Sequence, residues 1–201
     1  MLQEYTEQSL LQGYTPLPMQ QCLYALTQKH KSTPWYTRTD FLYILGLYDR
    51  TAQLVNIHPL LAVAQMIKET AWCTSFWSRR PQRNPAGLGV TGEISKVRKD
   101  TPDWVYNKER VRWEKGLSFS DWKYSVNAHL AHLLTYMYTD SQLSPAQQHL
   151  LIYDVRAHLV TQRGHVHVLH DLDGKWNASA TSKYGASIAA IANTLSTIQI
   201  V

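Results

Sequence analysis

The strongest candidate for a catalytic residue is Glu69, whose carboxyl group follows the largely apolar run of residues 60–67. A carboxylate in apolar surroundings loses water, and the C-terminal end of a helix is electrically negative, so both effects raise its pKa. An acid that keeps its proton near neutral pH can protonate the leaving oxygen of a glycosidic bond. On this argument alone, a glutamate that simply extends from a helix end into solvent stays open as the alternative.

The histidines and cysteines are weaker candidates for a functional site than Glu69. His129 and His132 share one face of a predicted helix, and three more histidines lie within residues 165–170. Zinc needs three or four converging ligands, and no HExxH pattern or cysteine pair supplies them. Cys22 and Cys73 have no metal-ligand spacing, and whether they form a disulfide or stay free is left open. We therefore expect no metal and no cofactor.

The elements that must position Glu69 are mostly helical. Pro59 suits the first turn of a helix, and apolar residues on every face of the segment that follows predict a central, buried helix ending at Glu69. Further helices are predicted from Pro16 or Pro18 to Leu26, after an Asp40 cap, from Trp122 to Met137, from Pro145, and from about Gly185 to Leu195.

Between the helices, residues 79–119 are rich in proline and glycine and predict an irregular lobe with a short hairpin. Residues 164–174 predict a loop, with a possible short strand at 165–169. Residues 1–15 are polar and predict a loose N-terminal arm, and residues 16–201 then form a single domain. The expected fold is mostly α, with a helical lobe around a buried central helix and a small irregular or β lobe.

Composition narrows the class of partner. The 201 residues are 44% hydrophobic, enough for one core, and the net charge of +5 favours an anionic partner. The densest basic patch, Ser95 to Arg112, carries no nucleic-acid motif, so we interpret it first as a solvated face and second as a face toward an acidic wall. Residues 1–12 do not resemble a signal peptide, and no apolar stretch is long enough to span a bilayer.

Four segments, in order, resemble the bacterial glucosaminidases of glycoside hydrolase family 73, over roughly Tyr36 to Leu195. The first reads AQMIKETAWCTS and is similar to the family's AQ…ETGWGTS signature, and RNPAGLG is similar to its NNLFGIK segment. The stretch FSDWKYSV, leading to His129, resembles FRxYxSxxxSxxDH, and the last is similar to the closing family helix. These segments are Ala64 to Ser75, Arg83 to Gly89, Phe119 to Val126 and Tyr184 to Leu195.

The resemblance implies that Glu69 is the general acid. Ala71 and Cys73 replace two family glycines, which puts the backbone geometry of the turn after the acid in question. The family's second acidic residue has its nearest counterpart in Asp103, which would steady an oxocarbenium-like transition state or activate water. The substrate's own acetamido group is an alternative nucleophile. Three other residues compete with Asp103, namely Glu93, Glu109 and Glu114.

The resemblance also implies a set of substrate-binding residues. A blurred family pattern spans residues 175–184, where Trp176 stands at the position of a first tyrosine and Tyr184 matches a second. Trp176 would stack a sugar ring, whereas Tyr184 supports the reaction or only packs in the core. Trp72 is expected to pack beside the catalytic helix rather than touch sugar, and Asn84 to brace the loop at the cleft's edge.

Together these features predict a lysozyme-like peptidoglycan hydrolase that cuts the β-1,4 bond after N-acetylglucosamine, an endo-β-N-acetylglucosaminidase. The expected partner is the peptidoglycan glycan strand rather than nucleic acid, and the oligomeric state is not specified. The site of action would be the bacterial cell wall, reached by lysis or by a dedicated export or injection route. A muramidase or lytic transglycosylase is the enzymatic alternative, and a non-catalytic glycan-binding module of a phage tail or injection apparatus is the other.

Overall fold

The computed structural model describes residues 3–31, 35–161, 163–176 and 183–200. These residues form a helical lobe with a small antiparallel sheet, so the predicted mostly α fold with a small second lobe is confirmed. Three short 3-10 turns lie at residues 140–142, 157–159 and 169–172. The helices and strands are α1 (Met19–Lys29), α2 (Arg38–Val55), α3 (Pro59–Glu69), β1 (Ile94–Ser95), β2 (Trp104–Asn107), β3 (Arg112–Lys115), α4 (Trp122–Met137), α5 (Pro145–Leu151) and α6 (Tyr184–Thr197).

Helix α3 is the centre of the helical lobe, as its apolar sequence predicts. Every residue from Pro59 to Ile67 is buried, and the helix packs against α2 and α6. Asn56 caps the C-terminal end of α2 in the left-handed conformation, with φ of 56°, and the three residues 56–58 connect α2 to Pro59, where α3 starts. An asparagine tolerates that conformation better than most residues. The burial of α3 leaves only its last turn, with Glu69, near the surface.

The start of α2 differs from the prediction. The N-cap is Thr37 rather than Asp40, and Asp40 is the third helical residue. The two side chains form a capping box, in which Thr37 Oγ1 accepts from the Asp40 amide and the Asp40 carboxylate accepts from the Thr37 amide at 2.8 Å. Both satisfy amides that the first helical turn leaves unpaired.

The N-terminal segment, predicted to be a loose arm, packs against the body at Tyr5 and Leu11, whereas most of the other residues of 3–15 are exposed. Tyr5 and Leu11 are buried, with 6% and 1% of their surface exposed. The backbone of Leu11 accepts from the amide of His58 at 2.8 Å and donates to the carbonyl of His167 at 2.9 Å. Two apolar anchors and these backbone bonds hold a segment whose polar composition predicts no attachment. The possible strand at 165–169 is reduced to one bridge, between Leu10 and Val168.

The small lobe is a three-stranded antiparallel sheet in the order β1-β3-β2. Leu117, which follows β3, donates its amide to the carbonyl of Leu88 at 3.1 Å, and this bond joins the sheet to the loop of residues 86–90. Ala86, Leu88, Phe119 and Ala128 form a small apolar cluster that fastens the same loop to α4. The loop is therefore fixed between the two lobes. No helix in the described residues is long and apolar enough to cross a bilayer.

Candidate active site

Glu69 lines a cleft of about 330 Å³. One wall is the loop of residues 86–90, and the other is formed by side chains of α4 and of the segments after α5. The carboxyl group is partly buried, and this desolvation raises its pKa above the ordinary value, although a hydrogen bond from Tyr184 and the charge of Lys68 act in the opposite direction. The alternative of a glutamate standing free in solvent therefore does not describe Glu69.

The chain leaves α3 through a left-handed turn. Ala71, Trp72 and Cys73 have φ angles of 48°, 61° and 60°, a conformation that glycine adopts without strain. Thr70 is buried beneath the turn, where its hydroxyl donates to the Met66 carbonyl at 2.6 Å and accepts from the Cys73 amide at 2.9 Å. The turn thus has a glycine-like backbone even though Ala71 and Cys73 are not glycines.

A chain of hydrogen bonds runs from the core to Glu69. The Tyr48 hydroxyl lies 2.7 Å from His129 Nδ1, and His129 Nε2 lies 3.0 Å from Gln65 Oε1. Gln65 Nε2 donates to the Tyr184 hydroxyl at 3.1 Å, and the Tyr184 hydroxyl donates to Glu69 Oε1. All of these residues except Glu69 are buried, namely Tyr48, His129, Gln65 and Tyr184. The Glu69 carboxyl group therefore accepts a hydrogen bond from the Tyr184 hydroxyl, which in turn accepts one from Gln65.

The hydrogen bonds of this chain all donate toward Glu69 once the Gln65 amide is oriented with its nitrogen toward Tyr184. Burial lowers the pKa of His129 to about 3, so its ring is neutral and carries a single N–H. Because Gln65 presents its oxygen to His129, that N–H is at Nε2, and Nδ1 accepts from Tyr48. Burial also raises the pKa of Tyr184 well above its ordinary value, so its hydroxyl keeps the proton it donates to Glu69.

This arrangement assigns different tasks to the two oxygens of Glu69. Oε1 receives the Tyr184 hydroxyl, so the acidic proton of the neutral carboxyl group belongs on Oε2. Gly87 lies beside Oε2, and a Cβ atom added there would stand 3.3 Å from this oxygen. Gly87 also has a φ of 61°. A glycine at this position keeps the proton-bearing oxygen open to the cleft.

The structure places Trp176 at the surface of the cleft and Asn84 beneath the cleft loop. Trp176 lines the cleft, and its ring packs 5.1 Å from that of His132 and 5.8 Å from that of Tyr136. Asn84 is fully buried and braces the cleft loop, since it bonds both the amide and the carbonyl of Leu88, at 2.9 and 2.8 Å. Residues 177–182 of the blurred family pattern lie outside the described residues.

Trp72 and Asp103 lie away from the cleft lining. Trp72 packs partly buried against the main core, and its carbonyl lies 2.7 Å from His30 Nε2. Asp103 lies directly before β2 on the small lobe, where a hydrogen bond from Thr101 holds its pKa below the ordinary value. The structure therefore does not bring Asp103 beside Glu69 in the cleft, although the pKa values of the two carboxyl groups are shifted in opposite directions.

The other carboxylates of the small lobe are engaged in ion pairs. Glu93 contacts Lys115 at 2.9 Å, and Glu109 contacts Arg79 at 3.0 Å. Glu114 is buried and pairs with Arg112 and, at longer range, with Arg110. None of the three lines the cleft as the structure describes it.

The histidines of α4 are accounted for by protein partners. His129 belongs to the chain behind Glu69, and His132 Nδ1 lies 3.0 Å from Asp154 Oδ1. Thr135 also donates to Asp154. Within the described ranges, no three residues of the metal-binding types converge to hold an ion. Gln65 was missed in the sequence, yet a single polar residue inside an otherwise apolar helix is a signal for a buried hydrogen-bond partner.

Comparison with known proteins gives a family. A sequence profile of the Glucosaminidase family, described as mannosyl-glycoprotein endo-beta-N-acetylglucosaminidase, matches residues 46–197. No curated protein sequence matches the chain. Among solved structures, the catalytic domain of the autolysin Auto from Listeria monocytogenes is similar over 90% of this chain and 86% of that one, with 15% identity and a TM-score of 0.41.

The matched span contains α3 with Glu69, the cleft loop and Tyr184. It also covers well over half of the 201 residues. The chain therefore belongs to the glucosaminidase family, and it is a glycoside hydrolase that acts on peptidoglycan.

Proposed function

We propose that the protein is an endo-β-N-acetylglucosaminidase in which Glu69 is the general acid. The bond cleaved is the β-1,4 bond that leaves N-acetylglucosamine at the new reducing end. The observation that supports this proposal is the position of Glu69 in the cleft lining, with a raised pKa and with Oε2 free of protein donors in the described residues. A protonated carboxyl group of this kind can deliver its proton to the glycosidic oxygen.

The hydrogen bond from Tyr184 gains importance as the proton leaves. Once Glu69 has donated its proton, the carboxylate accepts a charge-assisted bond from the Tyr184 hydroxyl, and such bonds are stronger than neutral ones. The same bond exists before the reaction but is weaker there. Tyr184 thus stabilises the later stage of proton transfer more than the starting state, which is the condition for lowering a barrier.

Asp103 is our proposed second carboxylate, and Trp176 our proposed sugar-stacking residue. The lowered pKa keeps Asp103 ionised at neutral pH, as stabilisation of a positive sugar ring or activation of water requires. Both carboxyl groups of such a pair flank the same bond, and Asp103 lies outside the cleft lining, so this role requires the small lobe to approach Glu69 when substrate binds. If the substrate's acetamido group is the nucleophile instead, Asp103→Asn will leave kcat nearly unchanged.

The decisive experiment compares the wild type with Glu69→Gln on purified sacculi. We expect the variant to fold with an unchanged thermal midpoint and to lose nearly all lytic activity, measured as the fall in turbidity. Glu4→Gln, which removes an exposed carboxylate of the N-terminal segment outside the cleft lining, is the matched control and should stay active. An unimpaired Glu69→Gln variant would remove Glu69 from the mechanism.

Mass spectrometry of the released fragments distinguishes the rival functions. Fragments with reducing N-acetylglucosamine ends are expected, whereas reducing or anhydro-muramic ends would indicate a muramidase or a lytic transglycosylase. Wild-type protein that binds sacculi without lowering turbidity would indicate a glycan-binding module that lacks turnover.

A further inference from the structure

Two cations line the same cleft as Glu69 and take no part in the proton transfer. Arg156 follows α5, and Lys175 precedes Trp176. Both side chains are partly buried. Glu69 is the only carboxyl group among the described residues that line the cleft, and its raised pKa favours the neutral form. The cleft therefore has an excess of positive charge where the substrate binds.

The guanidinium group of Arg156 has no hydrogen-bond or ion-pair partner within the described part of the chain. The carboxylate nearest in sequence, Asp154, is occupied by the ring of His132, by Thr135 and by the backbone amide of Arg156 at 2.9 Å. Asp154 thus holds the backbone of Arg156 in place without neutralising its side chain. The planar donor fork of an arginine is left open toward the cleft.

Lys175 provides a second, partly committed cation. Its ammonium group donates to the His165 carbonyl at 2.9 Å, and an ammonium group has two further N–H donors. Its backbone carbonyl accepts from the Tyr136 hydroxyl at 3.2 Å, which fixes the residue against α4. Lys175 is therefore held at the cleft by both ends and keeps donors for a ligand.

We propose that Arg156, assisted by Lys175, binds a carboxylate of the muramyl residue next to the bond that is cut. A guanidinium group matches a carboxylate through two parallel hydrogen bonds, and this match is specific as well as strong. The inference rests on the proposed glucosaminidase function. Muramyl residues carry such a carboxylate on the lactyl group of stripped strands or on the peptide of intact strands, whereas polymers of N-acetylglucosamine alone carry none. The pair thus selects wall glycan over neutral glycan.

The test is a binding measurement in the Glu69→Gln background, which removes turnover. Three ligands are compared by isothermal titration calorimetry: soluble peptide-bearing strands, strands stripped by an amidase, and a neutral N-acetylglucosamine hexamer. Adding Arg156→Ala should weaken binding of a carboxylate-bearing strand by about 10- to 100-fold and change binding of the hexamer by less than about twofold. Arg156→Lys should give an intermediate loss, because charge remains but the fork is lost.

Arg38→Ala is the matched control. It removes one positive charge from an exposed arginine in the first turn of α2, outside the cleft lining and outside the basic patch of Ser95 to Arg112, and should leave all three affinities unchanged. A loss confined to stripped strands identifies the lactyl carboxylate, and a loss confined to intact strands identifies a peptide carboxylate. An equal loss on the neutral hexamer, or no loss on either strand, overturns the inference.

The outcome for the proposed function is read separately. Wild-type protein that fails to cleave sacculi contradicts the proposed function, while the calorimetry still decides whether Arg156 recognises a carboxylate. An active wild type whose Arg156→Ala variant binds every ligand normally contradicts only the inference. The thermal midpoint of each variant shows whether it is folded. If Arg156→Ala is unfolded, the affinities of Arg156→Lys for the three ligands provide the test instead.

Discussion

Replacing Tyr184 with phenylalanine should move the pH range in which the enzyme works. The change removes the hydroxyl that donates to Glu69 Oε1 and leaves the ring in place. A hydrogen bond to a charged group contributes about 1.5–3 kcal/mol, and each pKa unit corresponds to about 1.36 kcal/mol, so the pKa of Glu69 should rise by roughly one to two units. Because the bond stabilises the ionised carboxylate, its loss raises the pKa further in the direction that burial already sets.

The assay is the pH profile of kcat on soluble glycan strands. In the proposed mechanism activity requires protonated Glu69, so the rate should fall as pH rises past its pKa in the enzyme–substrate complex. In Tyr184→Phe this basic limb should lie about one to two units higher, and the maximal rate should be lower because the carboxylate formed after proton transfer has lost its donor.

Tyr136→Phe is the matched control for this experiment. Tyr136 also lines the cleft, but its hydroxyl donates to the Lys175 carbonyl rather than to Glu69, so its basic limb should not move. A limb that stays in place in Tyr184→Phe, or that moves to lower pH, would refute the assigned direction of the hydrogen-bond chain. The free energy of unfolding of Tyr184→Phe should also fall by about 1–3 kcal/mol, since the Gln65 amide loses its acceptor.

Three further results are expected. Gly87→Ala places a methyl group 3.3 Å from Glu69 Oε2 at a φ of 61°, and should lower kcat by roughly 10- to 100-fold, measured at a common thermal stability. Ala71→Gly relieves a left-handed alanine and should raise the free energy of unfolding by about 1 kcal/mol in urea denaturation, whereas Ala190→Gly in exposed helix should lower it by a similar amount. His129 has a pKa of about 3 when folded and about 6.5 when unfolded, so its contribution to stability is complete above pH 6.5 and is lost toward pH 3, by up to about 1.4 kcal/mol per pH unit. His129→Gln should flatten that part of a urea-midpoint series from pH 7 to 4, and an unchanged slope would contradict the burial of a neutral ring.

The sequence alone identified α3 and Glu69, because an apolar segment with a proline start and a terminal carboxyl group is a local pattern. It also predicted the irregular lobe from its prolines and glycines, and the family from four short segments in order. It misplaced the start of α2, because aspartate is favoured both at the N-cap and in the first turn of a helix. Only the structure shows that Thr37 is the N-cap and Asp40 the third helical residue. It left residues 1–15 as an arm because Tyr5 and Leu11 are too few to give a periodic signal.

Only the tertiary structure decided how the proton of Glu69 is held. Gln65 and Tyr184 are 119 positions apart in the chain, and Tyr48 and His129 are 81 apart, so no local spacing relates them. Burial forces each of these polar groups to find a partner, and the packing of α2, α3, α4 and α6 determines which partner it finds. The same packing leaves the guanidinium group of Arg156 without a hydrogen-bond or ion-pair partner among the described residues. The position of the proposed acid is thus predicted by a short segment, whereas its hydrogen bonds and its neighbouring cations follow from contacts that only the folded chain makes.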